Sequence, residues 1–188
     1  MTPAPVDHDV RRGRLTEALL AVVGEAGLEG ASIRAVAARA GVSIGTVQHY
    51  FATKDELLLH AYRQVGEDLG ARAEARASAA GSVKGAIREV MLELLPLDAR
   101  RLAAIRISIA FAARAIHAPH LAAELRRDAL ELQEAITDAF AEAGVADPPR
   151  EAMLAIAVTS GLAEPLLFGT GSADDVVAAL DAYLDRAL

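Results

Sequence analysis

The residues whose types and spacing could do chemistry lie together at Gly41-Val42-Ser43-Ile44-Gly45. This pentapeptide fits the G-x-S-x-G pattern of a hydrolase nucleophile elbow, in which a strained turn between a strand and a helix presents a nucleophilic serine. The same residues also fit the turn of a helix-turn-helix. The segment therefore supports two incompatible hypotheses, a hydrolase and a DNA-binding protein.

The elements around Ser43 decide between these hypotheses. Residues 32–40, SIRAVAARA, carry apolar residues at helical spacing after a serine N-cap, so a helix and not a strand precedes Ser43. No alternation of strands and helices that could build a parallel sheet occurs elsewhere in the sequence. His49 and Asp55 are near Ser43 in sequence, but the geometry of a short helix fixes the directions of its side chains, so closeness in sequence does not assemble a catalytic triad. The sequence therefore predicts a protein that is not an enzyme.

The helix-turn-helix hypothesis makes several separate demands, and the sequence meets all of them. Ala37 is small enough for two helices to cross closely, Gly41 can adopt a left-handed conformation, and Val42 can plug the turn. The apolar stripe that the second helix must bury against the first is Ile44, Val47 and Phe51. Its remaining face is small and hydrogen-bonding, as base edges in a major groove require, and consists of Gly45, Thr46, Gln48 and His49.

The whole chain predicts an all-α fold. Hydrophobic residues make up 53% of the 188 positions and aromatic residues 4%, and β-branched residues never alternate as they do in strands. Periodicity and capping residues indicate nine helices, and the first covers about residues 12–26, with Gly27 as its C-cap. The others are expected at about 33–40, 44–50, 54–79, 83–95, 99–116, 120–143, 149–167 and 173–187.

The net charge of −7 is unevenly distributed along the chain. Residues 1–65 hold seven Lys/Arg, including the basic cluster Arg11–Arg14, and seven Asp/Glu. The remaining residues hold twelve Lys/Arg and nineteen Asp/Glu. This split is compatible with a DNA-binding end on an acidic body, and equally with an ordinary acidic protein that has a basic start. The absence of cysteine excludes disulfides and thiolate chemistry.

The N-terminus lacks the apolar core of a secretion signal. The longest apolar run, Ala152–Ala163, is shorter than the roughly 20 residues of a membrane span. We therefore expect a cytoplasmic protein without a membrane partner.

Residues Leu15 to Tyr62 resemble the DNA-binding region of the TetR family of transcriptional repressors. The resemblance rests on SIRAVAARAGVSIGTVQHYFATKDELLLHAY, in which a recognition helix ends in Tyr50-Phe51 and Lys54 opens the next helix. AFAARAIHAPHLAAELRRD, further along, resembles a subgroup that includes choline-responsive members, a match that transfers no ligand. The resemblance implies a nine-helix architecture with a helix-turn-helix DNA-binding domain at 1–55, opened by a loose tail at 1–11, and a ligand-binding and dimerisation domain at 56–188.

The resemblance also implies that Thr46, Gln48 and His49 face the major groove, and that Gly45 lets the helix backbone approach it. Gln48 can pair with adenine through two hydrogen bonds, and His49 can contact a base or a phosphate. Tyr50 can donate its hydroxyl to a phosphate or serve as a core ring with an exposed tip. Further contacts to the DNA backbone are expected from Ser32, Arg34, Ser43, Lys54 and the Arg11–Arg14 cluster. Helix capping, a solvated face and a solvated tail are the alternatives at these positions.

Polar residues within the apolar C-terminal helices suggest a cavity in which a charged group fixes one end of a small hydrophobic effector. Simple exposure or a satisfying neighbour is the alternative for each of them. The expected lining is Met91, Leu95, Arg106, Ile109, Phe111, Arg114, Phe140, Met153, Ser160, Glu164 and Phe168. His117 and His120 flank a helix break at Pro119 and lack an acidic partner segment, so we expect no metal and no cofactor.

A homodimer is expected through the last two helices. Small residues at Ala155, Ala157 and Gly161 would let helices approach, and the last helix adds an apolar stripe of Val177, Leu180 and Leu184 beside Tyr183. An intrachain core would give much the same pattern. The combined prediction is a dimeric repressor that a small effector releases from a palindromic double-stranded DNA operator. A helical protein that uses the motif for protein contacts is the alternative, and it predicts no salt-sensitive DNA binding.

Overall fold

The computed structural model describes residues 8–188, apart from the side chains of Asp9, Leu28 and Glu29, and this part of the chain forms nine α-helices and no strand. The helices are α1 (His8–Gly30), α2 (Ile33–Ala40), α3 (Ile44–Tyr50), α4 (Lys54–Ala79), α5 (Val83–Glu93), α6 (Ala99–Ala115), α7 (Pro119–Glu142), α8 (Pro148–Phe168) and α9 (Ala173–Ala187). The all-α prediction is confirmed, and the predicted bounds of α2 to α9 hold to within two residues.

Helix α1 is longer at both ends than the sequence predicted. The predicted loose tail is wrong for residues 8–11, which are helical, while residues 1–7 lie outside the described residues. Gly27 interrupts the helix at the predicted position, with φ 67° and ψ −174°, and a short helical stretch then continues past this kink to Gly30. Glycine accepts this positive φ without the steric cost that a Cβ would add.

The predicted caps explain where the other helices begin and end. Ser32, Ser43, Thr53, Asp98 and Ser172 each accept a hydrogen bond from the backbone N–H three residues later. Gly41 ends α2 in the left-handed conformation, with φ 66° and ψ 32°. Glu56 completes the capping arrangement of α4, although its carboxylate accepts from the N–H of Ala52, at 2.8 Å, and not from that of Thr53.

Three buried clusters hold the helices together. The first joins α1, α2 and α3 to the start of α4 and the middle of α6, and it includes Leu19, Val36, Val47, Phe51 and Ile107. The second joins α5, α7, α8 and α9 around Met91, Leu95, Phe140, Leu180 and Leu184. The third lies between α4, α6 and α7 around Leu58, Phe111 and Leu121. Because α4 and α6 contribute to two clusters, they connect the helix-turn-helix to the rest of the chain.

The predicted stripe on α9 faces the interior of the chain. Leu180 and Leu184 are at most 1% exposed and belong to the second cluster, and the Tyr183 hydroxyl donates to a Glu151 carboxylate oxygen at 2.6 Å. Their assignment to a dimer contact is therefore wrong, because α5 and α8 of the same chain already cover that face of α9.

An ion pair between α4 and α7 makes the stability of the fold depend on pH. The buried Glu124 carboxylate accepts hydrogen bonds from Arg63 and Arg127, and the bond from Arg63 is the main cause that lowers the pKa of Glu124 below its ordinary value of 4.5. A lowered folded-state pKa contributes stability above the unfolded pKa, and this contribution is lost as the pH falls through the folded value.

The variant Glu124→Gln is expected to unfold more easily than the wild type at pH 7, by roughly 1–2 kcal/mol, because the charge-assisted bonds are lost. The difference should shrink as the pH falls below 4.5, because the unfolded chain then takes up a proton at Glu124 that the ion pair still excludes in the folded chain. Urea unfolding followed by circular dichroism at pH 7 and at pH 3.5 measures both differences. A constant difference at the two pH values would contradict this role of Glu124.

Candidate nucleic-acid interface

The turn between α2 and α3 has the geometry of a helix-turn-helix. Gly41 makes the left-handed turn, and the N–H of Val42 donates to the carbonyl of Ala37 at 3.0 Å. Val42 packs on the first cluster, and Val47 of α3 is fully buried in it. These positions agree with the predicted roles of the turn and of the stripe on α3.

Ser43 is not presented as a nucleophile. Its Oγ accepts the N–H of Thr46 at 3.0 Å and lies 2.9 Å from the Thr46 hydroxyl, so it caps α3. It follows the helix α2, whereas a nucleophile elbow follows a strand. The match to the hydrolase pattern is therefore coincidental.

The outer face of α3 presents polar groups to solvent. Gly45, Gln48 and His49 are exposed, and Thr46 is half-buried through its contact with Ser43. Tyr50 is also half-buried, and its ring lies edge-on to His49 with the centroids 5.1 Å apart. This face carries hydrogen-bonding groups without an acidic side chain, which suits a nucleic-acid ligand.

Ile44 departs from the prediction that it is buried. It is 42% exposed at the first position of α3 and does not belong to the first buried cluster. An exposed apolar group beside Gly45 and Gln48 can contact the methyl group of thymine. Sequence reasoning missed this role, because an apolar residue at helical spacing was assigned to the core.

No described neighbour requires glycine at position 45. A Cβ built there would meet only the Ser43 Oγ, at 3.7 Å, which is an ordinary van der Waals contact. Glycine inside a helix costs about 0.5–1 kcal/mol relative to alanine. This cost is consistent with a function that needs a close approach to the helix backbone from outside.

The start of α1 packs against the end of α3. Arg12 donates to the carbonyl of Tyr50 at 3.4 Å, and its guanidinium lies 5.4 Å from the ring centroid of Phe51. The ring of His8 lies 5.4 Å from that of Tyr50, a neighbour that the sequence did not reveal. The basic cluster is thus divided, since Arg12 supports α3 while Arg11 and Arg14 are exposed.

The predicted phosphate-contacting residues lie at the starts of three helices. Ser32 and Ser43 are exposed caps of α2 and α3, and Lys54 is the half-buried first residue of α4. Arg34 is exposed in the first turn of α2. The structure therefore places backbone N–H groups beside hydroxyl or ammonium groups, which is a suitable arrangement for phosphate oxygens.

The predicted effector-lining residues do not line one cavity, which corrects the expectation of a single pocket. Met91, Leu95, Phe111 and Phe140 are fully buried core side chains. Arg106 and Ile109 border a cleft between α1 and α6, and Arg114 pairs with Asp55 through two bonds of 2.9 and 2.8 Å. The others, Met153, Ser160, Glu164 and Phe168, are exposed on α8. The sequence located apolar positions but not the faces to which their helices turn them.

The outer face of α8 from Met153 to Phe168 is uncovered within the described chain and largely apolar, with the exposed carboxylate of Glu164 as its one charged group. Met153, Leu154 and Phe168 are 56%, 43% and 73% exposed, and small residues occupy the exposed positions Ala157, Ser160 and Gly161 between them. Only 22% of the most apolar stretch of this helix is buried. By length and composition its 21 residues meet the criteria for a membrane span, which the core helices of soluble proteins also meet. Exposed apolar faces of this size are typical of interaction surfaces.

Among the described residues, no three His, Cys, Asp or Glu side chains lie close enough together to hold a metal ion.

Two family models match most of the chain. Residues 15–61 match the model described as bacterial regulatory proteins of the tetR family, and residues 83–188 match that of the C-terminal domain of BetI-type transcriptional repressors. The HTH-type transcriptional regulator PksA of Bacillus subtilis is 36% identical over 115 residues, which are 61% of this chain and 56% of that protein. The chain thus aligns with little more than half the length of this relative.

Solved structures agree with the family models. A transcriptional regulator from Rhodococcus sp. Rha1 is 36% identical and superposes with a TM-score of 0.87 over 94% of this chain and 95% of that chain. A regulator from Saccharomonospora viridis, solved in complex with choline, has a TM-score of 0.87 over 95% and 97% of the two chains at 18% identity, which shows a shared fold. The proteins with which the chain shares sequence are transcriptional regulators and not enzymes. With a helix-turn-helix at its N-terminal end and a BetI-type match over more than half of its length, the chain belongs to the TetR family of DNA-binding transcriptional regulators.

Proposed function

We propose that this regulator is a homodimeric, cytoplasmic repressor that binds a palindromic operator and leaves it when a small, largely hydrophobic effector binds. Residues 1–55 serve as the DNA-binding domain and residues 56–188 as the effector-binding and dimerisation domain. The exposed polar face of α3, held between capped helix starts, is the observation that carries this proposal.

The DNA-binding face combines base contacts with phosphate contacts. Gln48 and His49 lie on the outer side of α3, where the major groove would receive them, and Ile44 adds an apolar contact. Ser32, Ser43 and Lys54 lie at helix starts, and Arg34 lies in the first turn of α2, where they can hold phosphates on either side of the groove. The net charge of −7 does not oppose this function, because most of the acidic excess lies beyond residue 65.

A second copy of the chain covers the outer face of α8. Two α8 helices related by a two-fold axis would bury Met153, Leu154 and Phe168, while Ala157 and Gly161 permit close approach at the crossing. Such a dimer presents two recognition helices, which a palindromic operator requires at about 34–36 Å or a multiple of it. It also removes from water the apolar face that a monomer would leave exposed.

The ion pair between Arg114 of α6 and Asp55 of α4 connects the two domains. The Arg114 guanidinium donates two hydrogen bonds to the carboxylate of Asp55, the residue after Lys54, so a shift of α6 moves the start of α4. A ligand that binds the DNA-free conformation of the dimer more tightly than the DNA-bound conformation would shift the population towards the former. The ion pair would then transmit the change to the spacing of the two recognition helices. Equal affinity for both geometries would shift nothing, however tightly the ligand bound.

Fluorescence anisotropy with the DNA upstream of the protein's own gene tests the proposal. We expect saturable binding by the dimer that weakens steeply between 50 and 200 mM salt, because each phosphate contact releases counterions. Two outcomes would instead favour a helical protein that uses the motif for protein contacts. One is DNA binding that does not depend on salt concentration, and the other is the absence of binding both to this DNA and to random DNA.

A further inference from the structure

A cleft lies between the end of α1 and the middle of α6. Its volume is about 490 Å³, and Val23 and Gly24 form one wall while Arg106, Ile109 and Ala113 form the other. This volume is within the range of about 300–1,000 Å³ that is common for small-molecule sites. Val23 of the first cluster and Ala110 of the third form its floor, and of the residues predicted to line an effector cavity only Arg106 and Ile109 border it.

Arg106 brings a positive charge into this cleft. It donates to the carbonyl of Gly24 at 2.7 Å and forms no ion pair with any carboxylate whose side chain the structure describes. Arg100, Arg101 and Arg114 on the same helix each have a carboxylate partner. The acidic group in the cleft, Glu25, is paired with Arg39 at 2.8 Å. The guanidinium of Arg106 is thus available to an anion.

An apolar track begins next to this charge. Ile109 is 52% exposed, Ala113 lies one turn further on the same face of α6, and Ile116 just beyond the helix end is 78% exposed. From Arg106 to Ile116 this face extends by about 15 Å, at 1.5 Å per residue. A cation at one end and an uncovered apolar strip behind it match a ligand with a single anionic head and a hydrocarbon tail. Apart from Arg106 and Glu25, the side chains that line the cleft are apolar or absent, which suits a hydrocarbon tail better than a nucleotide or sugar.

We propose that the cleft binds an amphipathic carboxylate, whose head pairs with Arg106 and whose tail lies along Ile109 and Ala113 towards Ile116. A carboxylate is a stronger acceptor for a guanidinium than a backbone carbonyl, so it displaces Gly24 from Arg106. Gly24 lies one turn before the break in α1 at Gly27. The preceding turns of α1 pack against α2 and α3 in the first buried cluster. Ligand binding therefore loosens the contact of α1 with α6 and favours release of DNA, a consequence that rests on the proposed function.

Calorimetric titration of the full chain with decanoate and with decanol, both below their aggregation limits, tests the site directly. We expect saturable decanoate binding at least tenfold tighter than decanol binding. Arg106→Gln should weaken decanoate binding at least tenfold, which corresponds to about 1.4 kcal/mol. Arg126→Gln, which removes an exposed arginine of α7, is the matched control and should bind decanoate as the wild type does.

A second variant separates loss of the site from loss of the fold. Because Ile109 is largely exposed, Ile109→Thr should keep the helical content while decanoate loses more affinity than hexanoate, whose shorter tail touches less of the track. The absence of saturable binding to the wild type, or equal decanoate binding by Arg106→Gln and wild type, would overturn the proposal. Operator binding is measured separately by anisotropy. Binding of decanoate without operator release would uphold the site and reject its regulatory role, whereas failure to bind DNA at all would reject the proposed function.

Discussion

A single arginine on the outer face of α8 is expected to convert the dimer into a monomer. In Ala157→Arg the new charge lies in the middle of the exposed apolar stripe between Met153 and Gly161. A buried unpaired charge at an interface costs about 2–5 kcal/mol, and in a two-fold dimer the substitution occurs twice at the same contact. We therefore expect the dimer dissociation constant to rise by at least about 100-fold. Light scattering of wild type and variant at micromolar concentration measures this change.

Two controls accompany this prediction. Ala135→Arg makes the same change on the exposed face of α7, beside the acidic residues Glu131, Glu134 and Asp138, and should leave the dimer intact. Circular dichroism should show the same helical content for both variants, because both positions are exposed helix sites within the chain. A wild type that scatters as a monomer would contradict the dimer. An Ala157→Arg dimer as stable as the wild type would place the contact elsewhere.

Loss of the Gln48 amide is expected to weaken operator binding by about 1–3 kcal/mol and to relax the preference at one base position, because a two-bond contact to an adenine edge is removed. Gln48 is exposed on α3, so the substitution Gln48→Ala removes no packing. Anisotropy titrations against operators changed one base pair at a time measure both effects. Gln133→Ala, the same substitution on α7, is the control.

Lys54→Ala should behave differently from Gln48→Ala, since a phosphate contact carries no sequence information. It should weaken binding to all sequences alike and reduce the slope of log affinity against log salt by about one. Gly45→Ala adds a further test, because it should stabilise the free protein by about 0.5–1 kcal/mol while it weakens binding through the added Cβ. Wild-type affinity in both Gln48→Ala and Lys54→Ala would show that α3 and the start of α4 are not the DNA-binding surface.

The local structure of this protein was predictable from its sequence because it depends on interactions within a few residues. A serine, threonine or aspartate N-cap bonds to a backbone N–H three residues away, and Gly41 takes a conformation that other residues avoid. For the same reason the turn before Ser43, the bounds of α2 to α9 and the exposure of Gln48 and His49 follow from the sequence alone, whereas the early start of α1 does not.

Only the tertiary structure decided which neighbour each helix face meets. An apolar stripe shows that a face is buried but not what covers it, so Leu180 and Leu184 were assigned to a dimer although α5 and α8 of the same chain enclose them. For the same reason, the residues that the sequence assigned to one effector cavity lie in three places: the core, the cleft between α1 and α6, and the outer face of α8.

Charged pairs between distant helices depend on tertiary structure even more strongly. Glu93 is 1% exposed and lies 2.8 Å from Arg72, 3.1 Å from Arg76 and 3.7 Å from Arg101, three arginines supplied by α4 and α6. Arg106, in contrast, meets a carbonyl of α1 and no described carboxylate. Because these side chains are long and their partners lie far along the chain, no local sequence pattern distinguishes the arginines that pair with Glu93 from Arg106, which pairs with no described carboxylate. The packing of α1 and α4 on α6 makes that distinction.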